Sequence, residues 1–305
     1  MNGQERWFVE GATALRRTLT AIGGSIPLPP TGEFYACPCC LIAYGRDALA
    51  AGFFTTEHVP PRAAGGQKLV LTCGPCNHSA GSAFDAHAER REAMHDVLAG
   101  RAPDRTLRAD IEVGNIVTRG NIRRLGDSFM LVGVPKANNP RDVVEATRTL
   151  EAWTSEPGNG GRIRFRITEN VLVERARLSW VRAAYLAAFA ALGWRYVFLP
   201  HLNRLRAPLA DPTASLLPPL ALVDPAAPRE RRQLLLVQEP DELCSLAVVL
   251  GRHTVFLPGM EDPQSFDALS AALARLAAPA NSHLRLELAG KKIPWPTKPL
   301  YALGR

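Results

Sequence analysis

The sequence predicts an α+β protein in two parts, a small amino-terminal domain clamped around a metal ion and a larger mixed α+β domain behind it. Three observations carry that expectation. Five of the six cysteines crowd into residues 37–76, in two tight groups, Cys37, Cys39 and Cys40 and then Cys73 and Cys76. Short β-prone runs alternate with helical stretches along the whole chain, without an internal repeat. The stretch GRAPDRTLR, residues 100–108, reads as a linker and separates residues 1–100 from residues 101–305.

With 47% hydrophobic and 21% charged residues the chain has the composition of a soluble globular protein and excludes a disordered or fibrous one. MNGQERWFVEG lacks the basic and apolar regions of a secretory signal. The most apolar stretch, residues 183–194, is twelve residues long and falls short of the roughly 20 needed to span a bilayer. The expectation is a cytoplasmic protein with no membrane partner. The formal charge of +7 is uneven: residues 1–100 hold eight Lys or Arg against nine Asp or Glu, residues 101–206 eighteen against ten, and residues 207–305 ten of each. Cationic side chains supply most non-specific affinity for nucleic acid, so residues 101–206 are expected to position such a partner. The plainer account is compositional, since 31 of the 36 basic residues are Arg.

Cys37-x-x-Cys40 and Cys73-x-x-Cys76 form two knuckles, each able to turn two thiolates onto one ion, as a closed structural Zn2+ site requires. Cys39 sits inside the first knuckle and is expected to point away, although a register that uses it stays open. Cys244, in ELCSLAVVL, reads as a core residue. Between the knuckles GFFTTEHVPP and KLVLTC read as two strands joined through the turn-forming AAGGQ, hence a hairpin. After the second knuckle, NHSAGSAFDAHAERREAMHDVLAG reads as a helix that stops at Gly100.

This segment resembles the HNH nucleases, the ββα-metal class with a four-cysteine zinc framework. The resemblance rests on Cys37-x-x-Cys40, Glu57-His58-Val59-x-Pro61, Gly65-Gly66, Leu69-x-Leu71-x-Cys73-x-x-Cys76-Asn77 and Gly81, about fifty residues of the chain. It implies a metal-dependent endonuclease. Glu57 and Asn77 would hold a catalytic divalent cation, Mg2+ or Mn2+, and His58 would activate water. The products would carry 5′-phosphate and 3′-hydroxyl ends, with DNA favoured over RNA. The chemistry agrees: histidine has the pKa to accept a proton from water near neutral pH, and an oxygen-bound cation offsets the charge of the departing oxygen. Arg62 and Lys68 are candidate phosphate contacts, or else an ordinary loop arginine and a solvated lysine. Lys68 stands where many relatives carry an asparagine, and His78 and Asp85, about 10 Å apart on the helix, are alternative ligand positions. The rival reading is a non-catalytic zinc-bearing adaptor for nucleic acid or protein.

In the larger domain IEVGNIV and SFMLVGV read as strands and residues 140–153 as a helix. RIRFRIT alternates Arg162, Arg164 and Arg166 with apolar residues, which on a strand gathers three guanidiniums on one face, either a backbone-binding surface or a solvated or acid-paired sheet face. LSWVRAAYLAAFAAL, residues 178–192, reads as a buried helix ended by Gly193, and RYVFL as a strand after it. Residues 206–228 read as an extended connector. LLLVQ, CSLAVVLG, HTVFLP and HLRLELAG read as strands, with a helix over residues 265–276.

Overall fold

The first residues already carry a helix signal, Asn2 three positions ahead of Glu5 and apolar Phe8, Ala12, Leu15 and Leu19 behind it. In the structure, a computed structural model that describes residues 2–23, 32–155, 161–167, 170–211, 213–214, 217–261, 263–276 and 286–301, α1 (Gly3–Ile22) starts there. The Asn2 side chain accepts a hydrogen bond from the Glu5 amide at 2.8 Å, and the helix buries Phe8, Leu15 and Leu19. Strands β1 (Phe34–Ala36) and β2 (Ala43–Gly45) pair antiparallel, so the first knuckle is the turn between them. The short α2 (Arg46–Ala50) leads into the hairpin of β3 (Phe54–Val59) and β4 (Gln67–Cys73).

Helix α3 (Gly74–Ala80) begins inside the second knuckle, not at Asn77, with Pro75 in its first turn where a missing amide proton costs nothing. A π-turn over Gly81–Asp85 follows, and α4 (Ala86–Leu98) carries the chain onward. The predicted single helix is therefore interrupted.

The chain divides into two compact units. One comprises residues 1–88 and 173–305, the other residues 89–172. The second unit is thus an insertion, and the expected division at residue 100 is not the one the packing makes. Within it β5 (Leu107–Val113), β6 (Ile116–Leu125), β7 (Ser128–Gly133) and β8 (Ile163–Ile167) form an antiparallel sheet of order β7-β6-β5-β8. Helix α5 (Pro140–Ser155) connects β7 to β8. Ala146 of this helix, with Val97 of α4, joins the alternate residues Leu107, Ile111, Val113 and Ile122 in one core.

In the first unit α6 (Val173–Leu192) is buried on every side from Leu178 to Ala191, as expected for a strongly apolar helix. It packs on β3, β4 and the π-turn. It also packs on a five-stranded antiparallel sheet of β9 (Ala221–Val223), β10 (Arg232–Glu239), β11 (Ser245–Leu250), β12 (His253–Leu257) and β13 (Ala289–Ile293), in the order β13-β10-β11-β12-β9.

RYVFL is not a strand. Gly193 takes φ 72° and the chain turns into α7 (Trp194–Val197), where the Trp194 indole donates to the Gly11 carbonyl and the Tyr196 hydroxyl to that of Pro258. Tertiary anchoring of the aromatics overrides their β-propensity. The expected connector likewise begins as α8 (Asn203–Ala210), which tolerates Pro208 in its last turn. Helix α9 (Phe266–Leu276) matches its expectation. Of HLRLELAG, residues 283–285 lie outside the described residues and the strand starts at Ala289. Cys244 is half-buried, with its thiol toward the Gln238 carbonyl at 3.3 Å, and is not a core residue. No described helix is long and apolar enough to cross a membrane.

Candidate functional site

Two turns aim the four sulfurs. The β1–β2 turn supplies Cys37 and Cys40, and the β4–α3 junction supplies Cys73 and Cys76. Their Sγ atoms all lie within 4.8 Å of one another, so the four cysteines are positioned to bind a metal ion. A regular tetrahedron with bonds of about 2.3 Å to zinc has sulfur–sulfur edges of about 3.8 Å, and Cys40 and Cys73 are 3.9 Å apart. The Cys73 amide points at the Cys37 sulfur from 3.4 Å, which favours a thiolate there. Burial opposes ionisation of Cys37, yet hydrogen bonds from Cys39, Cys40, Cys73 and Cys76 outweigh it and hold its thiol well below the usual range. Cys39, bonded to Cys37 and buried, is held above that range. It is not one of the four sulfurs that converge, so the first knuckle contributes Cys37 and Cys40 to the cluster.

The hairpin places the acid and the imidazole. Glu57 lies opposite Val70 and His58 opposite Lys68, so Leu69 is the extra residue of a bulge. Thr55 and Glu57 share one face by alternation. That face meets the helices: the Asn77 amide donates to the Thr55 hydroxyl at 2.8 Å. His58 is half-buried and on the strand beside Lys68, which is exposed, as is Arg62 in the turn.

Glu57 is not free. Its carboxylate is buried and receives a hydrogen bond from Arg182 of α6 at 2.7 Å, with the two side chains 5% and 3% exposed. Arg182 belongs to a polar stripe at every third position of α6. Ser179 donates to Asp85 of the π-turn at 2.5 Å, and Tyr185 donates to the Pro38 carbonyl in the first knuckle at 2.7 Å. The helix therefore holds the knuckle, the hairpin and the π-turn together. Burial works against the Arg182 charge, but Glu57, Cys39 and Asp85 overcome it and raise its pKa above the usual arginine range. For Asp85 burial dominates and raises the carboxyl pKa, against the opposing pull of Arg182 and the Ser179 hydrogen bond.

Of the two residues expected to hold a divalent cation, Glu57 is paired with Arg182 and Asn77 donates its amide to Thr55. A cation already neutralises Glu57, and it is covalently part of the chain. His78 is exposed on α3, and Asp85 is engaged by Ser179.

The arginine alternation on β8 is present, but its charge is answered. Arg164 pairs with Glu112 at 3.1 Å and Arg166 lies opposite Asp110 in register. Arg162 is exposed just before the strand. Residues 89–172 hold fourteen Lys or Arg against twelve Asp or Glu, so the second unit is nearly neutral. Much of the cationic excess expected of residues 101–206 lies instead in residues 173–206 of the other unit. There Arg182 and Arg206 are buried and Arg204 is paired with Asp267.

Sequence reasoning missed Arg182, Ser179 and Tyr185. Their signal is a lone charge inside LSWVRAAYLAAFAAL, because a charge in an apolar helix needs a buried partner. Compared with protein-family models, with curated proteins and with solved structures, the chain matches none.

Proposed function

We propose that this chain is a zinc-bearing nucleic-acid-binding protein, built on a nuclease-like hairpin-and-helix module in which Arg182 serves as the counter-charge of Glu57. The observation that carries this reading is the buried ion pair at 2.7 Å. Phosphodiester hydrolysis at neutral pH calls for a cation that touches the reacting phosphate. A guanidinium 3% exposed cannot reach one. What remains outward on the hairpin is cationic: Arg62 and Lys68 are exposed and form no ion pair with a described residue. Such side chains bind backbone phosphate without chemistry. Zn2+ on Cys37, Cys40, Cys73 and Cys76 serves the fold alone. DNA is the expected polymer.

A second reading, a metal-dependent endonuclease, is favoured by one observation: His58 follows Glu57 directly and is half open to solvent. In that reading Glu57 and Asn77 take up Mg2+ or Mn2+ once Arg182 yields, and His58 accepts a proton from water. A plasmid-nicking assay with Mg2+ or Mn2+, run beside a gel-shift assay, separates the two. The proposal expects shifted DNA without nicking by the wild type. Nicking by the wild type that His58→Ala abolishes would replace it with the second reading.

A further inference from the structure

Where the β3–β4 turn meets the start of β10 and the stretch after β13, the first unit holds a cavity of about 460 Å3. That volume lies within the range of about 300–1,000 Å3 usual for small-molecule sites. Its charge is one-sided: Arg62, Lys68, Arg229 and Arg232 line it against the single acid Glu230. One wall carries the half-buried Trp295. The walls are joined before any ligand arrives, since Arg232 donates to the Ala64 carbonyl at 3.1 Å and so ties the turn to β10. Gly66 lets that turn close, because a Cβ there would collide with the Pro60 carbonyl oxygen. Lys68 lies opposite His58 on the hairpin, but His58 is not among the residues that line the cleft.

Cations against an aromatic ring are the two halves of a nucleotide site. Arginine and lysine meet the phosphate, and an indole offers a stacking plane for a base that is out of a duplex. We infer that this cleft binds one nucleotide unit of single-stranded nucleic acid, its phosphate held by Arg62 and Lys68 and its base laid against Trp295. The inference rests on the nucleic-acid reading above and adds the strand form, the location and the recognition residues.

The test uses the full zinc-loaded chain and a fluorescent oligodeoxythymidine, followed by anisotropy, with deoxythymidine 5′-monophosphate and inorganic phosphate as competitors. The double variant Arg62→Gln/Lys68→Gln should weaken binding about tenfold or more and flatten its salt dependence. Trp295→Ala should weaken it by about five- to hundredfold, with Trp295→Phe recovering most of the loss. Arg164→Gln, on the β8 sheet, should change nothing. The nucleotide should compete better than phosphate. Zinc content and circular dichroism verify that each variant is folded. Oligonucleotide binding that ignores every cleft variant would overturn the cleft and leave the nucleic-acid reading standing. Competition by phosphate equal to that by nucleotide, with Trp295→Ala silent, would overturn the nucleotide assignment. Nucleotide binding sensitive to the cleft variants, with no oligonucleotide binding, would keep the pocket and overturn the nucleic-acid reading.

Discussion

Breaking the Arg182–Glu57 pair from one side should be among the costliest single changes in the chain. With side chains 3% and 5% exposed, neither solvent nor salt screens the interaction. Arg182→Met removes the counter-charge and leaves a carboxylate stranded in the interior, a change that costs about 3–5 kcal/mol. For a unit of this size each kcal/mol lowers Tm by about 2–4 °C, so a fall of about 6–20 °C is expected. Glu57→Gln should cost a similar amount, because it strands the guanidinium instead. The double variant Glu57→Gln/Arg182→Met removes both charges and should recover at least about 2 kcal/mol of the summed losses. Urea and thermal unfolding of the four zinc-loaded proteins, read as a double-mutant cycle, measures this coupling. Single losses under about 1 kcal/mol, or losses that simply add, would refute the claim that the two charges depend on each other.

Two further outcomes follow from the same cluster and from the knuckles. Cys76→Ala should abolish stoichiometric zinc and lower the melting temperature, whereas Cys39→Ser should keep the metal; mass spectrometry under native conditions reads both. Asp85 has a folded pKa raised above its ordinary 3.8, so the folded state holds its proton to higher pH than the unfolded state does. Stability then falls as pH rises through that window, and Asp85→Asn, which keeps an acceptor for Ser179, should gain on the wild type as pH rises from about 4 towards neutral. Urea midpoints across that range check it, and a flat difference would remove the burial argument.

The knuckles, the hairpin between them and the helix behind were legible because each rests on local chemistry: C-x-x-C spacing, turn residues, and a run of helix formers. The bulge at Leu69 and the π-turn before Ala86 were not, since both answer to packing against α6. Asn2 and Glu5 announced α1 and could have been read. Glu57 shows the limit of motif reading. Its place beside His58 suggests a metal ligand, yet its partner comes from residue 182, and a pairing across 125 residues leaves no mark on the local pattern. Charge counting misled in a similar way. It treated residues 101–206 as one surface, although the chain divides at 172 and two of the arginines beyond it are internal.

The most direct test of the central claim is a Mn2+ titration of the zinc-loaded chain followed by electron paramagnetic resonance. If Arg182 is the fixed counter-charge of Glu57, the free Mn2+ signal falls no faster with wild type than with Glu57→Gln. A wild-type chain that takes up one Mn2+ per molecule and loses it on Glu57→Gln would contradict the account and return the carboxylate to a divalent metal.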